Sequence, residues 1–233
     1  MVNKYIKAQF PKNFNFKKYE GKTIMVVGGG PTTNDVAWQN LDYDYIFSCN
    51  EYFNCNKLNN KSIEIVSLIN RVLISNSEKL HVRLDKENTI IGIEPIHSGH
   101  VYNNSKFKSF HEKYRNRCLF FDTTFQSRCG TAPRLAILAA MLKPKTIYMV
   151  GIDGHGDTST LHSFDKNLQG IRDGKPLHVV NGDYIDFANY MYKICKELNI
   201  TVYNLGEGHK DNMATSVCKI HYPLTKEIKD VIK

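Results

Sequence analysis

The chain predicts an α/β fold, a single Rossmann-like domain with a mostly parallel sheet and a lid segment. Three observations predict it. Short apolar runs alternate with helix-forming segments along most of the 233 residues, the pattern of a parallel sheet with crossover helices. The stretch 127–153 reads as a small polar loop, a helix, a buried strand and the acidic strand end Gly151-Ile152-Asp153. A glycine turn, Gly28-Gly29-Gly30-Pro31-Thr32, follows the first clear strand. Ligands of such sheets sit beyond the carboxyl ends of the strands.

The elements follow in order. Residues 1–22 form a basic leader, irregular through Pro11 and a run of Asn and Lys. Thr23–Val27 is a short apolar run bounded by glycine, hence a central strand. Thr32 or Asn34 caps a helix over 35–41. Strands follow at 45–47, ending at Asn50, and at 63–68, ending near Asn70. A helical piece is expected over 73–80, a weak strand over 89–93, a helix over 107–115 and a short strand over 119–121. The helix over 131–142 and the strand over 147–150 carry the strongest patterns. Residues 154–182 are rich in Gly and Asp and lack periodicity, as expected of a functional lid. An amphipathic helix over 184–198, a strand over 201–203 and a short helix over 224–232 complete the chain.

Composition narrows the class. Hydrophobic residues make up 42% of the chain, enough for a core. No apolar run reaches the roughly 18 residues of a membrane span, and no apolar segment follows the Lys-rich start as a secretory signal would. Six scattered cysteines form no CxxC pair, which predicts free thiols and a cytoplasmic location. The net charge is +8, and the first 22 residues set six lysines against one glutamate. Such an arm suits a polyanion, either nucleic acid or an anionic membrane surface.

Four marked positions fall at predicted strand ends: the 28–32 turn, Asn50, Asn70 and Gly151–Asp153. The helix starting at Gly130-Thr131-Ala132 adds N–H groups able to face an anion. A phosphate-bearing ligand held between the two loops is the direct reading. Arg128, just before that helix, has the planar fork of an anion clamp.

Taken together, the GGGPT turn, Phe47-Ser48-Cys49-Asn50, Asn70, Arg128-Cys129-Gly130-Thr131-Ala132 and Gly151-Ile152-Asp153 resemble glycosyltransferase family 42. Its members are bacterial sialyltransferases that use CMP-sialic acid. A wider Rossmann-like group, including the 6-hydroxymethylpterin diphosphokinases, looks similar. The family pattern is a GNGPS turn, an F-x-C-N strand end, a later Asn, an R-x-T-S-G helix start and a G-I-D strand end. The resemblance implies a GT-A variant fold for residues 23–233, with a nucleotide-sugar donor and no required cofactor. By position, Gly28, Gly29, Gly30 and Thr32 would lie at the nucleotide phosphate. Asn50 and Asn70 would hold the nucleotide and sugar. Gly130, Thr131 and Ala132 would line the donor phosphate and carboxylate site, with Arg128 beside them. His162 falls where the family has a tyrosine assisting the leaving phosphate. The family's asparagine is Gly29 here, and its general-base histidine aligns nearer Gly182, with His178 four residues earlier. Both departures point to a nucleotide sugar other than CMP-sialic acid.

The expected reaction is inverting glycosyl transfer to an acceptor hydroxyl. His178, His162 or Asp153 would act as base. Asp153, His155 and Asp157 are also spaced to hold a divalent metal. The acceptor is a glycan or, given the basic leader, a base of DNA. Two other readings stand beside this one. One is ATP-dependent diphosphate transfer to a pterin-like alcohol. The other is a nucleotide- or nucleic-acid-binding domain without turnover. Rossmann-like transferases often assemble, so an oligomer is compatible with the sequence.

Overall fold

The computed structural model describes residues 4–75, 77–95, 102–125, 130–153, 161–162, 165–169, 177–206 and 224–233, with the backbone alone over 161–185. Among them, eight strands form one sheet in the order β1-β6-β5-β4-β3-β2-β7-β10. The strands are β1 Ile6–Gln9, β2 Thr23–Val27, β3 Tyr45–Cys49, β4 Ile65–Ser67, β5 Ile90–Ile93, β6 Cys118–Thr123, β7 Thr146–Val150 and β10 Thr201–Asn204. Every neighbouring pair is parallel except β1 with β6. The expected α/β class with a mostly parallel sheet is therefore present. A second, two-stranded antiparallel pair joins β8 Leu161–His162 to β9 Asp165–Gln169.

The central strands are apolar along their length because both faces are covered. Ile24, Met25, Val26 and Val27 of β2 are all fully buried. The helices are α1 Thr32–Asp35, α2 Asn70–Ser75, α3 Glu78–Lys86, α4 Ser105–Tyr114, α5 Thr131–Met141, α6 Leu177–Leu198 and α7 Lys226–Val231. All of α5 is buried. It lies against β2, β3 and β7 on one side and α6 on the other. A helix apolar all round needs such a double cover, and this explains why its sequence pattern was strong without a polar face.

Several expectations change. The leader does not stay irregular. Ile6 is buried and β1 pairs antiparallel along β6, from Ile6 opposite Thr123 to Gln9 opposite Phe120. The chain then crosses the amino edge of the sheet. Tyr19 is buried there and its hydroxyl donates to Glu64 Oε1 at 2.7 Å. The helix expected over 35–41 is a single turn, α1, beginning at Thr32 with Pro31 at its cap. A short 3-10 turn, Trp38–Asn40, follows it. The Trp38 indole N–H donates to Thr33 O at 3.0 Å, closing the segment on itself. Residues 73–80 span two helices rather than one, and Asn70 opens α2 instead of ending a strand. Helix α6 begins at Leu177, so the last residues of the segment read as a lid, 177–182, are helical.

Burial sets the chemistry of the thiols. It pushes Cys118 and Cys195 up to about 12 and also raises Cys49 and Cys55, since a thiolate loses its hydration inside the core. At pH 8 these four should not react with an aromatic disulfide reagent before the protein unfolds. Native protein should therefore show no more than two fast thiols, Cys129 and Cys218, against all six in denaturant. Three or more fast native thiols would contradict this packing.

Candidate functional site

Two strand-end turns interlock at the carboxyl edge. The Gly28 N–H donates to Val150 O and the Gly30 N–H to Gly151 O, both at 2.8 Å. A Cβ on Gly28 would lie 2.4 Å from Gly151 O, far inside contact distance. Gly151 has φ +68, and a Cβ there would meet Thr33 Oγ1 at 2.1 Å. Glycine at these positions follows from the close approach of two backbones and, at Gly151, from left-handed geometry.

Threonine and aspartate lock the contact. Thr32 Oγ1 accepts from the Gly151 N–H at 2.9 Å and donates to Asp153 Oδ1 at 2.5 Å. The Thr32 N–H donates to Asp153 Oδ2 at 3.0 Å. Thr33 Oγ1 donates to Gly28 O at 2.7 Å. Thr32, Thr33 and Asp153 are all buried. Asp153 thus caps the first turn of α1 from another strand, as an N-cap residue does from within its own chain segment.

This changes two readings. Open amides at Gly28, Gly30 and Thr32 were the expected phosphate contacts, but all three N–H groups are taken up inside the protein. Asp153 was a candidate base and metal ligand, yet both its oxygens hold Thr32 and it is 4% exposed. Its geometry is that of a positioning residue. Among the described residues, no three His, Cys, Asp or Glu side chains gather as a metal site would require. His155 and Asp157 lie outside the described residues.

The helix α5 start supplies what the glycine turn does not. Gly130, its cap residue, has φ 98 and brings no side chain to cap the helix. The Thr131 and Ala132 N–H groups open the first turn and have no acceptor within the helix. Pro133 follows at the third helical position, where its missing N–H costs nothing. Thr131 Oγ1 is buried and has no hydrogen-bond partner among the described residues. A buried hydroxyl without a partner is costly and marks a place for a polar ligand atom. The turn and the helix start converge, because a Cβ on Gly28 would lie 3.1 Å from Ala132 Cβ. Arg128 lies outside the described residues.

Helix α5 is held in place by a buried ion pair. Arg134 Nε contacts Glu94 Oε2 just past β5, and Ser67 Oγ at the end of β4 reaches Glu94 Oε1 at 3.4 Å. Burial raises the Glu94 pKa and the Arg134 guanidinium pulls it back. Neither residue stood out in the sequence. The one available signal was an arginine inside an otherwise apolar helix, which had to find a partner when buried.

Asn50 is a strand-end brace. Asn50 sits at φ 49, a left-handed position that asparagine tolerates. Its N–H donates to Ser67 O at 2.9 Å and its Oδ1 accepts from the Ile69 N–H at 3.1 Å. Asn50 therefore ties β3 to β4. Asn70 opens α2, and the next residue, Arg71, pairs with Glu51 across the two loops. Arg71 is more than half exposed and is a cation at the carboxyl edge that the sequence reading did not include. His162 lies on β8 and His178 in the first turn of α6, with side chains outside the description.

No protein-family model matches the chain, and no curated protein sequence matches it. Solved structures do. The sialyltransferase CstII from Campylobacter jejuni, in complex with the substrate analogue CMP-3FNeuAc, is similar with a TM-score of 0.56 at 15% identity, covering 88% of this chain and 89% of that one. The same values hold for CST-II in complex with a trisaccharide acceptor and CMP. The likeness shows a shared α/β fold over 88% of this chain.

The Thr32–Asp153 lock has a measurable energy. Asp153→Ala leaves two buried donors without an acceptor and should cost about 2–5 kcal/mol of unfolding free energy in urea. Thr32→Val should cost about 1–3 kcal/mol. The double variant should lose at least about 1 kcal/mol less than the two single losses combined, since the residues share one interaction. Additive losses would mean that the contact does not form.

Proposed function

We propose that the protein is a glycosyltransferase that takes its donor as a nucleotide sugar. The observation that carries the reading is the α5 start, where a buried Thr131 hydroxyl with no partner among the described residues and the Thr131 and Ala132 amides, without acceptors in their helix, lie close to the Gly28–Thr32 turn. Such a group of donors fits the phosphate or carboxylate of a donor. The likeness to an α/β enzyme crystallised with a CMP-sugar analogue and with a trisaccharide acceptor supports it at the level of the fold.

In this reading the acceptor is a glycan hydroxyl. It attacks the anomeric carbon opposite the phosphate. The anomeric carbon–oxygen bond to the phosphate breaks as the new glycosidic bond forms, and the acceptor proton passes to a base. His178 is the first candidate and His162 the second. Negative charge grows on the leaving phosphate. The α5 amides, the Thr131 hydroxyl and the Arg128 guanidinium stabilise it where it develops. Asp153 takes no proton in this scheme. It fixes the turn that forms the opposite wall.

Thermal unfolding in the presence of CMP-, UDP-, GDP- and ADP-linked sugars, with and without Mn²⁺, tests the reading. One nucleotide class at 100 times its Kd should stabilise the protein by about 2.7 kcal/mol, a rise of about 5–10 °C for a chain of this size. Thr131→Val should weaken that nucleotide about tenfold, while Thr131→Ser should bind as the parent does. No stabilisation by any nucleotide sugar, or full affinity in Thr131→Val, would overturn it.

A further inference from the structure

The amino edge of the sheet, opposite the candidate site, carries a feature that sugar transfer does not use. Between β1 and β2 the chain crosses this edge as a strap. Phe10, Phe14 and Phe16 cluster on it, with ring centroids 4.4, 4.6 and 4.7 Å apart. Phe14 stacks on buried Tyr19, and Tyr19 packs on Tyr45 at the start of β3. The cluster is thereby fixed to the core from beneath. Phe16 is 37% exposed at its outer side.

Exposed lysines lie on the same edge of the sheet. Lys12 and Lys17 of the strap are exposed. Lys143 and Lys145, on the approach to β7, are exposed beside the end of the strap. The Gly21 N–H donates to Lys143 O at 3.2 Å and the Lys145 N–H to Lys22 O at 2.8 Å. Among the described residues, none of these four lysines forms an ion pair. Lys18 and Lys22 are held by Glu64 and Asp44. Glu20 is the one exposed carboxylate on the strap itself.

We propose that this edge is a docking surface for an anionic lipid membrane, with the phenylalanine cluster entering the headgroup region and Lys12, Lys17, Lys143 and Lys145 facing acidic headgroups. Apolar rings on an edge that also carries these exposed lysines match the interface of such a bilayer in both hydrophobicity and charge. A nucleic acid fits less well. The three rings tilt at 49–66° to one another and fill each other's faces, so they offer no flat platform for bases. The strap contains no arginine to fork onto phosphates. No helix among the described residues is long and apolar enough to cross a membrane, so the contact is peripheral. Docking this edge turns the carboxyl ends of β2, β3, β4 and β7 away from the lipid and leaves the candidate site open. The inference does not depend on the donor.

Co-sedimentation of the full chain with phosphatidylcholine vesicles, with and without about 30% phosphatidylserine, is the test. Binding should require phosphatidylserine and fall steeply in 0.5 M salt. Phe16→Ser should lower the partition coefficient about tenfold, and Lys12→Glu with Lys17→Glu by at least as much. The lysine variant should keep the parental melting temperature, since both side chains are exposed, whereas Phe16→Ser also loses ring contacts with Phe10 and Phe14, so its binding is measured well below its own melting temperature. Saturating nucleotide sugar should leave vesicle binding unchanged. Three results would each overturn the proposal. They are binding that ignores phosphatidylserine, variants that bind as the parent does, and a DNA duplex that displaces the vesicles and binds Phe16→Ser undiminished.

Discussion

The candidate site depends on one buried interlock. Asp153, just past β7, holds the N–H and the hydroxyl of Thr32 on the loop after β2, while that hydroxyl also accepts from Gly151. Three polar groups that would be costly alone become satisfied together. The backbones of Gly28 and Gly151 then approach so closely that neither residue has room for a side chain. Ala132 lies directly against Gly28, so the start of α5 inherits its position from the same lock. The Arg134–Glu94 pair fixes that helix from its other side, against the ends of β4 and β5. Such a pair adds little net stability, but removing one partner strands a buried charge. Its value lies in where it holds the helix.

This arrangement divides the labour between two loops that look alike in sequence. Both are glycine-containing turns leading into helices. At the first, the amides of Gly28, Gly30 and Thr32 meet protein acceptors. At the second, the amides of Thr131 and Ala132 meet none within their helix. In the proposed function the first loop is a wall and the second is the surface for the sugar donor. Helix α5 can serve as that surface because it is buried along its whole length. Low dielectric and exclusion of water make each dipole there count for more.

Much of the fold was legible in the chain. The strands β2 and β7 and the helix α5 are dense apolar runs with glycine at their ends, and parallel burial leaves that signature. The placement of Gly28, Asn50 and Asp153 at strand ends was legible for the same reason. The roles at those ends were not. Whether a turn amide faces a ligand or a neighbouring carbonyl depends on which strand lies beside it, and the pairing of β2 with β7 joins residues more than a hundred positions apart. Strand β1 was hidden because an edge strand buries one face over four residues, and only Ile6 and Ala8 mark it. Helix α1 stops after one turn where Trp38 closes back onto Thr33, five residues earlier, a local side-chain contact that the apolar pattern of 35–41 does not reveal. Glu94 was unreadable as the partner of Arg134, since nothing short of the fold brings β5 to α5.

The central claim is that a donor's negative group rests on the open amides of α5 and not on the glycine turn. A ¹⁵N-resolved titration of the labelled protein with the nucleotide sugar that stabilises it measures this directly. The account predicts the largest amide shifts at Thr131 and Ala132, with the Gly28, Gly30 and Thr32 amides still protected from hydrogen exchange. Large shifts and lost protection at Gly28 and Gly30, with Thr131 and Ala132 unmoved, would contradict it.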